Sequence, residues 1–535
     1  MENSSFYIYD ASAGSGKTFT ITKEYLKILL TQNQSFAFQN ILAITFTNKA
    51  AAEMKHRIVE ALKYFSGLDL TQDHRSLLEK VCEETSLTPE EVQQKSLRVL
   101  KYLIPNYSNF EVSTIDSFNH RIIRTFAKDL KLSQNFEVEL DHQQYIDKAI
   151  EKLIDEVGED EELTSWLIEF ISYKINNNKS GNIQKDLTNY AELLVNEKNF
   201  EAIDKIKSIE LKDLKKIKYK IIEHQKTIKD DLKRIALQFF ELIEKHDVAP
   251  NDFKGNYISK YFNNIIENEK ILSEFGSNWH DIENTELYNK STKDELKRSI
   301  DSIRPEIESL FLESKSKSLE YHLSDRVLKN FVPLAMIREV QMHLNTIKKE
   351  SEILFVNDFN RIISKEIKDQ PVPYIYERLG EKFRHYFIDE FQDTSTLQWN
   401  NLIPLVDNAI TGEHTDNTKG SLFLVGDVKQ SIYEWRGGDP KQFLDLSQHR
   451  KNPFSINATK NVLEDNWRSA KEIVSFNNAF FEFASRKLSN PDHSELFNNV
   501  AQNEKNEGGY VEINFLPEID NKDEKLAHQI NVLKN

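Results

Sequence analysis

The sequence predicts an α/β protein, built on a parallel sheet that carries a phosphate-binding loop and is interrupted by a large all-helical insertion. Three observations predict this. Ile8-Tyr9-Asp10-Ala11-Ser12-Ala13-Gly14-Ser15-Gly16-Lys17-Thr18 sets a loop of small residues between an apolar run and a helical pattern. Compact apolar runs recur at Ile41–Phe46, Tyr386–Asp389 and Ser421–Gly426 and read as buried strands. From about Leu130 to Val340 the composition shifts to Lys, Glu, Asn and Ile with long helical periodicities and few Gly or Pro.

Taken in order, Phe6 to Tyr9 is a short buried strand, and Ile21, Leu26 and Leu29 mark the helix after the loop. Gly14 and Gly16 allow the backbone to curl, so that successive N–H groups face phosphate oxygens. The helix start adds partial positive charge. Lys17 can reach the β- and γ-phosphates, and the Thr18 hydroxyl can ligate Mg²⁺. Ala11 stands where such loops usually begin with glycine. After the strand at Ile41–Phe46, Thr47 or Asn48 can cap a helix with Ala51, Met54, Ile58, Ala61, Leu62 and Phe65 on one face. Phe46, at a strand end, is either a core aromatic or a ligand-facing one.

Residues 69–105 are polar and helix-prone, with Pro89 opening a helix. Phe110–Ile115 reads as a third strand, and Asp116 as the N-cap of the helix that follows. Within the insertion, Lys205 to Arg234 is dense in lysine. Interleaved acids and isoleucines favour a solvated amphipathic helix over a nucleic-acid patch. Ile353–Phe359 returns to a turn-bounded apolar pattern.

Tyr386-Phe387-Ile388-Asp389-Glu390 ends a buried strand in two adjacent carboxylates. With the loop at Lys17, this suits Mg²⁺-assisted hydrolysis: Asp389 holds the metal through water, and Glu390 orients and deprotonates the attacking water. Gln430, just past the strand at Ser421–Gly426, is placed to sense a γ-phosphate. Tyr433, Trp435 and Arg436 suit stacking on unpaired bases, or else anchor their loop. Downstream, a helix runs through Ile473, Phe476, Phe480 and Phe483, and Tyr510–Phe515 reads as strand-like.

Composition bounds the rest. The 535 residues suit roughly three or four domains or subdomains. With 86 acidic and 70 basic side chains the formal net charge is −16, which argues against a chain coated in nucleic acid. DNA binding then needs a local basic or aromatic track. The single cysteine, Cys82, excludes a disulfide framework and suits a reducing compartment. A strand begins almost at once, so no secretory leader is expected. No apolar run of about 18 residues occurs, so no membrane span is expected and the expected location is the cytoplasm.

Together, the phosphate loop, Ile44-Thr45-Phe46-Thr47-Asn48-Lys49-Ala50-Ala51, Asp389-Glu390-Phe391-Gln392-Asp393-Thr394, Gly426-Asp427-Val428-Lys429-Gln430-Ser431-Ile432-Tyr433 and Asn466-Trp467-Arg468-Ser469 resemble superfamily 1 helicase motifs of the UvrD type. The wording of the loop, and the absence of an upstream glutamine-bearing adenine motif, resemble the RecB/AddA branch of helicase–nuclease subunits. The resemblance implies a RecA-like domain binding ATP and Mg²⁺ through Ala11, Ser12, Ala13, Gly14, Ser15, Gly16, Lys17 and Thr18, with Thr18 and Asp389 at the metal. It implies that Trp467 stacks on adenine. Lys17, Asp389, Glu390, Gln430 and Arg468 are the catalytic set it implies, with Gln430 and Arg468 touching the γ-phosphate.

Phe46, Tyr433 and Trp435 would stack on single-stranded DNA, with Thr47, Asn48, Ser117, Phe118 and Arg436 beside them. Asp116 stands where the family commonly has histidine. The implied partners are single-stranded DNA, its junctions with duplex, and a second subunit of a helicase–nuclease complex. The family moves 3′ to 5′. The implied domains are 1–130 and 341–455 for the first RecA-like domain, 131–340 for the helical insertion, and 456–535 for the beginning of a second RecA-like domain. The family's last two motifs and a nuclease are not matched, so an N-terminal piece of a longer helicase is expected. The alternatives are a stand-alone UvrD/Rep-like repair helicase, a P-loop NTPase that never touches DNA, and a non-catalytic nucleotide- and DNA-binding fragment.

Overall fold

The computed structural model describes residues 5–32, 34–68, 74–133, 135–176, 180–267, 282, 285–369, 382–412, 419–434, 437–489, 494, 496–497, 500–513 and 524–526. The chain divides into two compact units: residues 1–139 with 354–535, and residues 140–353.

The strands are β1 (Phe6–Asp10), β2 (Ile41–Thr45), β3 (Val112–Thr114), β4 (Glu137–Glu139), β5 (Ile353–Phe355), β6 (His385–Ile388), β7 (Ser421–Gly426), β8 (Thr459–Val462), β9 (Asp465–Ala470) and β10 (Asn503–Asn506), all within the first unit save that β5 starts on the last residue of the second. Among the described residues, six form one parallel sheet in the order β3-β2-β6-β7-β1-β8. Its strands are apolar on both faces because helices cover both. Phe6, Ile8, Leu42, Ile44, Tyr386, Ile388, Leu422 and Leu424 face one core. That core is completed by α5 (Ile115–Thr125), α13 (Val356–Asp369), α14 (Thr396–Thr411) and α15 (Pro440–Ser447).

Tyr9, Ile41, Ala43, Phe387, Phe423 and Val425 face the other core. There they meet α1 (Lys17–Thr31), α2 (Asn48–Phe65), α3 (Arg75–Thr85) and α4 (Pro89–Leu103). On this second face the rings of Tyr7, Phe423 and Phe387 stack across three neighbouring strands, at 5.0 and 4.5 Å between centroids. Each such pair adds about 0.5–1.5 kcal/mol beyond its buried area and helps hold the register Tyr7↔Phe423↔Phe387.

The second unit is helical: α6 (Gln143–Asp155), α7 (Glu161–Asn176), α8 (Ile183–Ala191), α9 (Phe200–Lys207), α10 (Leu211–Lys245), α11 (Tyr257–Glu267) and α12 (Asp294–Glu350). Its core includes Ile235, Phe239, Phe262, Ile303, Ile307 and Phe311, contributed by α10, α11 and α12. The lysine-dense stretch lies on α9 and α10, and several of its lysines are paired: Lys205 with Glu201, Lys207 with Asp204, Lys216 with Asp213 and Lys218 with Glu169. No described helix is long and apolar enough to cross a membrane.

Several boundaries differ from the sequence reading. α12 runs unbroken to Glu350, through Pro305 and Pro333, so the units divide at 139/140 and 353/354 rather than at 130 and 340. β8 pairs with β1, which carries the first sheet to Val462, past the expected division at 455/456. The strand expected at Tyr510–Phe515 is not formed at 510–513, and Asn514 and Phe515 lie outside the described residues. The strand lies instead at the wholly polar Asn503–Asn506, paired in parallel with β9. Backbone pairing sets it there, and a search for apolar alternation passes over it.

Candidate nucleotide and strand-binding site

The loop between β1 and α1 leaves the carboxyl edge of the sheet, where such sheets bind ligands. Ala11 N–H donates to the Gly426 carbonyl at 3.0 Å, which ties the loop's start to β7. That use of Ala11 is structural; its side chain is fully buried. Gly14 and Gly16 hold φ of 79° and 88°, a left-handed conformation that side-chain-bearing residues rarely adopt. Gly16 caps α1 without any side-chain hydrogen bond, and no acidic residue sits in the first turn. The first N–H groups of α1 are therefore not matched by a side chain, and the helix dipole points its positive end at the loop.

Lys17 Nζ lies 2.8 and 2.9 Å from the two carboxylate oxygens of Glu390. Glu390 itself takes φ +51°, ψ 44°, unusual for a residue with a side chain. It turns the chain directly off β6, into a 3-10 turn over Phe391–Asp393. Asp389, one residue earlier, donates its N–H to the Ile44 carbonyl at 2.8 Å and so sits at the sheet edge beside β2. Its Oδ1 is buried without a hydrogen-bond partner among the described residues. Burial, and then the Glu390 charge, push this carboxyl up to about 7, against the pull of Lys17.

An orphaned carboxylate oxygen beside a phosphate loop fits a hard cation. Asp389 and the Thr18 hydroxyl are the residues that would hold Mg²⁺. Among the described residues no cluster of three or more His, Cys, Asp or Glu is placed for a metal. That is compatible with Mg²⁺, which commonly takes only one or two protein ligands and completes its shell with phosphate and water.

The Asn466–Ser469 segment packs directly on the loop. Trp467 N–H donates to the Gly14 carbonyl at 2.9 Å. Asn466 Oδ1 accepts from the N–H groups of Arg468 and Ser469 at 3.0 and 2.8 Å, while its Nδ2 donates to Gln502 Oε1 at 2.8 Å. Gln502 Nε2 reaches back to the Ala13 carbonyl at 3.3 Å. Trp467 remains 60% exposed beside Gly16, with Lys505 Nζ 5.4 Å from its ring centre. An exposed indole beside a phosphate loop is placed to receive a base. Arg468 is also exposed.

Gln430 lies just past the end of β7, and its Nε2 donates to Asp427 Oδ2 at 2.7 Å. Asp427 is buried, and Lys429 Nζ meets its other oxygen at 2.6 Å.

Among the expected DNA contacts, Phe46 and Tyr433 come together, with ring centres 4.4 Å apart and both rings partly exposed. Trp435 and Arg436 lie outside the described residues. Thr47 is the cap of α2, accepting from Ala50 N–H at 3.1 Å, and Asn48 is its exposed first residue. Two expectations are corrected here. Phe118 is 3% exposed and packs in the core with Phe383, so its ring cannot meet a strand. The N-cap of α5 is Thr114, not Asp116. Thr114 Oγ1 accepts from Ser117 N–H at 3.2 Å and donates to Ser117 Oγ at 2.8 Å, so Ser117 is engaged in the cap. Asp116, in the first turn, accepts from Gln398 Nε2 at 3.2 Å.

Sequence reasoning passes over Gln392, Asp393, Gln502 and Lys505 as site residues. Gln392 and Asp393 stand inside the Asp389–Thr394 motif. Gln502 and Lys505 lie in a polar stretch with no local signal and reach the site only through the pairing of β10 with β9.

Residues 2–451 match the UvrD/REP helicase N-terminal domain. The chain is 27% identical to a subunit of the ATP-dependent helicase/nuclease of Clostridium botulinum, over 96% of this chain and 42% of that protein. It is 24% identical to the helicase/nuclease subunit of the same name from Listeria innocua, over 91% of this chain and 38% of that protein. To the Clostridium beijerinckii protein it is 24% identical, over 96% and 41%. The chain thus spans about two fifths of the length of these relatives.

Proposed function

The chain belongs to the UvrD/REP helicase family, and from that premise we propose that it is the nucleotide- and strand-binding part of an ATP-dependent 3′–5′ DNA helicase. It acts in DNA repair or recombination, in the cytoplasm, within a helicase–nuclease complex. The names of its relatives, each a subunit of an ATP-dependent helicase/nuclease, support the complex and a partner chain.

One observation carries the reading: Lys17, Asp389 and Glu390 meet at one sheet edge, and the Trp467 backbone is hydrogen-bonded across the same loop. Bound Mg²⁺ supplies charge neutralisation at the phosphates. Lys17 exchanges the Glu390 carboxylate for β/γ-phosphate oxygens. Glu390 is then left to orient water and take its proton, a role worth roughly 10²–10⁴ in rate. Thr18 and Asp389 hold the metal, Trp467 stacks on the base, and Gln430 and Arg468 face the terminal phosphate. Phe46 and Tyr433, with Trp435 and Arg436, form the single-strand track. A local aromatic track of this kind is compatible with a net charge of −16.

The test is unwinding of tailed duplexes by the full-length protein. Activity is expected on a 3′-tailed duplex, and it is expected to be lost in Lys17→Ala. Preference for a 5′ tail would overturn the direction. Unwinding that survives Lys17→Ala would overturn the site.

A further inference from the structure

The indole beside the phosphate loop is pinned by its own backbone and by one lysine. Trp467 N–H donates to the Gly14 carbonyl at 2.9 Å, and the Trp467 carbonyl accepts from Asn506 Nδ2 at 3.0 Å. One edge of the ring lies against Gly16, where an added Cβ would meet Cδ1 at 3.7 Å. Lys505 Nζ stands over the ring, 5.4 Å from its centre.

β10 puts the lysine there. Side chains alternate along a strand. Glu504 turns to α16 (Lys471–Ser485), where it accepts from Ser475 Oγ at 3.0 Å. Asn503 and Lys505 turn the other way and converge on Asp465. Asn503 Nδ2 donates to Asp465 Oδ1 at 3.0 Å, and Lys505 Nζ meets Oδ2 at 3.0 Å. The parallel register then breaks. Glu504 is level with Asn466 and Asn506 with Ala470, so Trp467, Arg468 and Ser469 bulge opposite Lys505 alone. Bulges of this kind re-aim side chains beside active sites.

We propose that Lys505 is a positioning residue for the nucleobase: anchored by Asp465, its ammonium covers one face of the Trp467 indole and leaves the opposite face for the base of a bound nucleoside phosphate. This rests on the proposed function and names what orients its base contact. The face of an indole attracts a cation. The attraction fixes the plane of a residue that is otherwise 60% exposed. A base then meets a surface already set in place, and less is lost in ordering it.

The test compares Mg–ADP with Mg–pyrophosphate, which has no base, by calorimetric titration of the full chain. The wild type is expected to prefer Mg–ADP by roughly 5- to 150-fold, the worth of one stacked base. Lys505→Met keeps the apolar stem and removes the charge. It is expected to cut that preference about two- to fivefold and to leave Mg–pyrophosphate affinity unchanged. Lys505→Arg keeps a cation over the ring and is expected to retain the wild-type preference. In a Trp467→Ala background Lys505→Met is expected to change nothing, because the ring through which it acts is gone. If Lys505→Met does not fold, Asp465→Asn takes its place; it breaks the anchoring ion pair and is expected to lower the preference too.

An unchanged preference in the folded variant overturns the inference. So does an equal loss of both ligands, or a loss that persists without Trp467. A raised preference in Lys505→Met also overturns it, since the lysine would then stand where the base goes. A wild type that binds both ligands equally overturns the base contact and with it this inference, while the phosphate loop stands. A wild type that binds neither overturns the functional reading itself.

Discussion

Gly14→Ala probes the loop and its partner segment together. Gly14 holds φ +79°, and a Cβ there would lie 2.8 Å from Asn466 Oδ1 and 3.0 Å from Arg468 Cβ. The left-handed conformation costs a residue with a Cβ about 1–2 kcal/mol. Relieving the contact means moving Asn466, whose Oδ1 accepts from Arg468 and Ser469 N–H groups. Losing one or both bonds adds about 1–2 kcal/mol. If the strain falls on the loop's ligand-binding form, the sum of about 2–4 kcal/mol is roughly a 30- to 700-fold loss of nucleotide affinity. Calorimetric titration with Mg–ADP measures this.

Gly508→Ala is the control. Gly508 holds φ +93°, but a Cβ there would meet nothing within 4 Å. It should carry the backbone cost alone, with no change in nucleotide affinity. If folded Gly14→Ala binds Mg–ADP as tightly as Gly508→Ala does, the packing of Asn466 and Arg468 on the loop does not constrain its ligand-binding form.

Phe46→Ala should weaken oligothymidylate binding by about 1–3 kcal/mol, the worth of one stacked base, and leave Mg–ADP affinity in place; unchanged oligothymidylate affinity would remove Phe46 from the track. Tyr25 is fully buried, and its hydroxyl has no hydrogen-bond partner among the described residues; Tyr25→Phe should therefore raise stability by about 1 kcal/mol in urea unfolding, and a loss would reveal a partner. Glu84 bridges Lys23 and Lys27 at 2.6 Å each. Burial alone would raise its carboxyl, but hydrogen bonds from the two lysines outweigh that and hold it below the usual range. Its folded value being the lower, the stability it adds is present above its unfolded pKa of about 4.3 and fades as pH falls through the folded value. Glu84→Gln should accordingly flatten the acid side of the stability–pH curve, and an unchanged acid limb would contradict the network.

What can be read from the sequence follows local physics. Tyr386–Ile388 and Ser421–Gly426 are strands buried on both faces, so their apolar runs are visible without any partner. The loop at Gly14–Thr18 carries its own conformational signal in glycines and a lysine. Phe118 is misplaced by the motif because a motif position does not say which side of a helix faces the core; its neighbour Asp116 is exposed, but Phe118 points inward at Phe383. The cap of α5 lies two residues before the expected one because Thr114 ends β3 and starts the helix at once. The end of α12 comes later than composition suggests because its apolar pattern continues through Leu344 and Ile347. β10 is invisible because Asn503–Asn506 is polar and exists only through its pairing with β9. Distances across the fold, such as Lys17 to Glu390 over 373 positions, have no local signature at all.

The assignment of the nucleotide site stands or falls on equilibrium binding of Mg–ADP to the wild type and to Lys17→Ala, followed by calorimetry beside urea unfolding of both. Lys17 pairs through its ammonium group with the Glu390 carboxylate and is partly exposed, so the variant should keep its fold. Saturable Mg²⁺-dependent binding is expected in the wild type. In the variant a loss of about tenfold or more is expected, the effect of about 1.4 kcal/mol from one charge-assisted contact. Equal affinity in two equally stable proteins would contradict the placing of nucleotide in this loop.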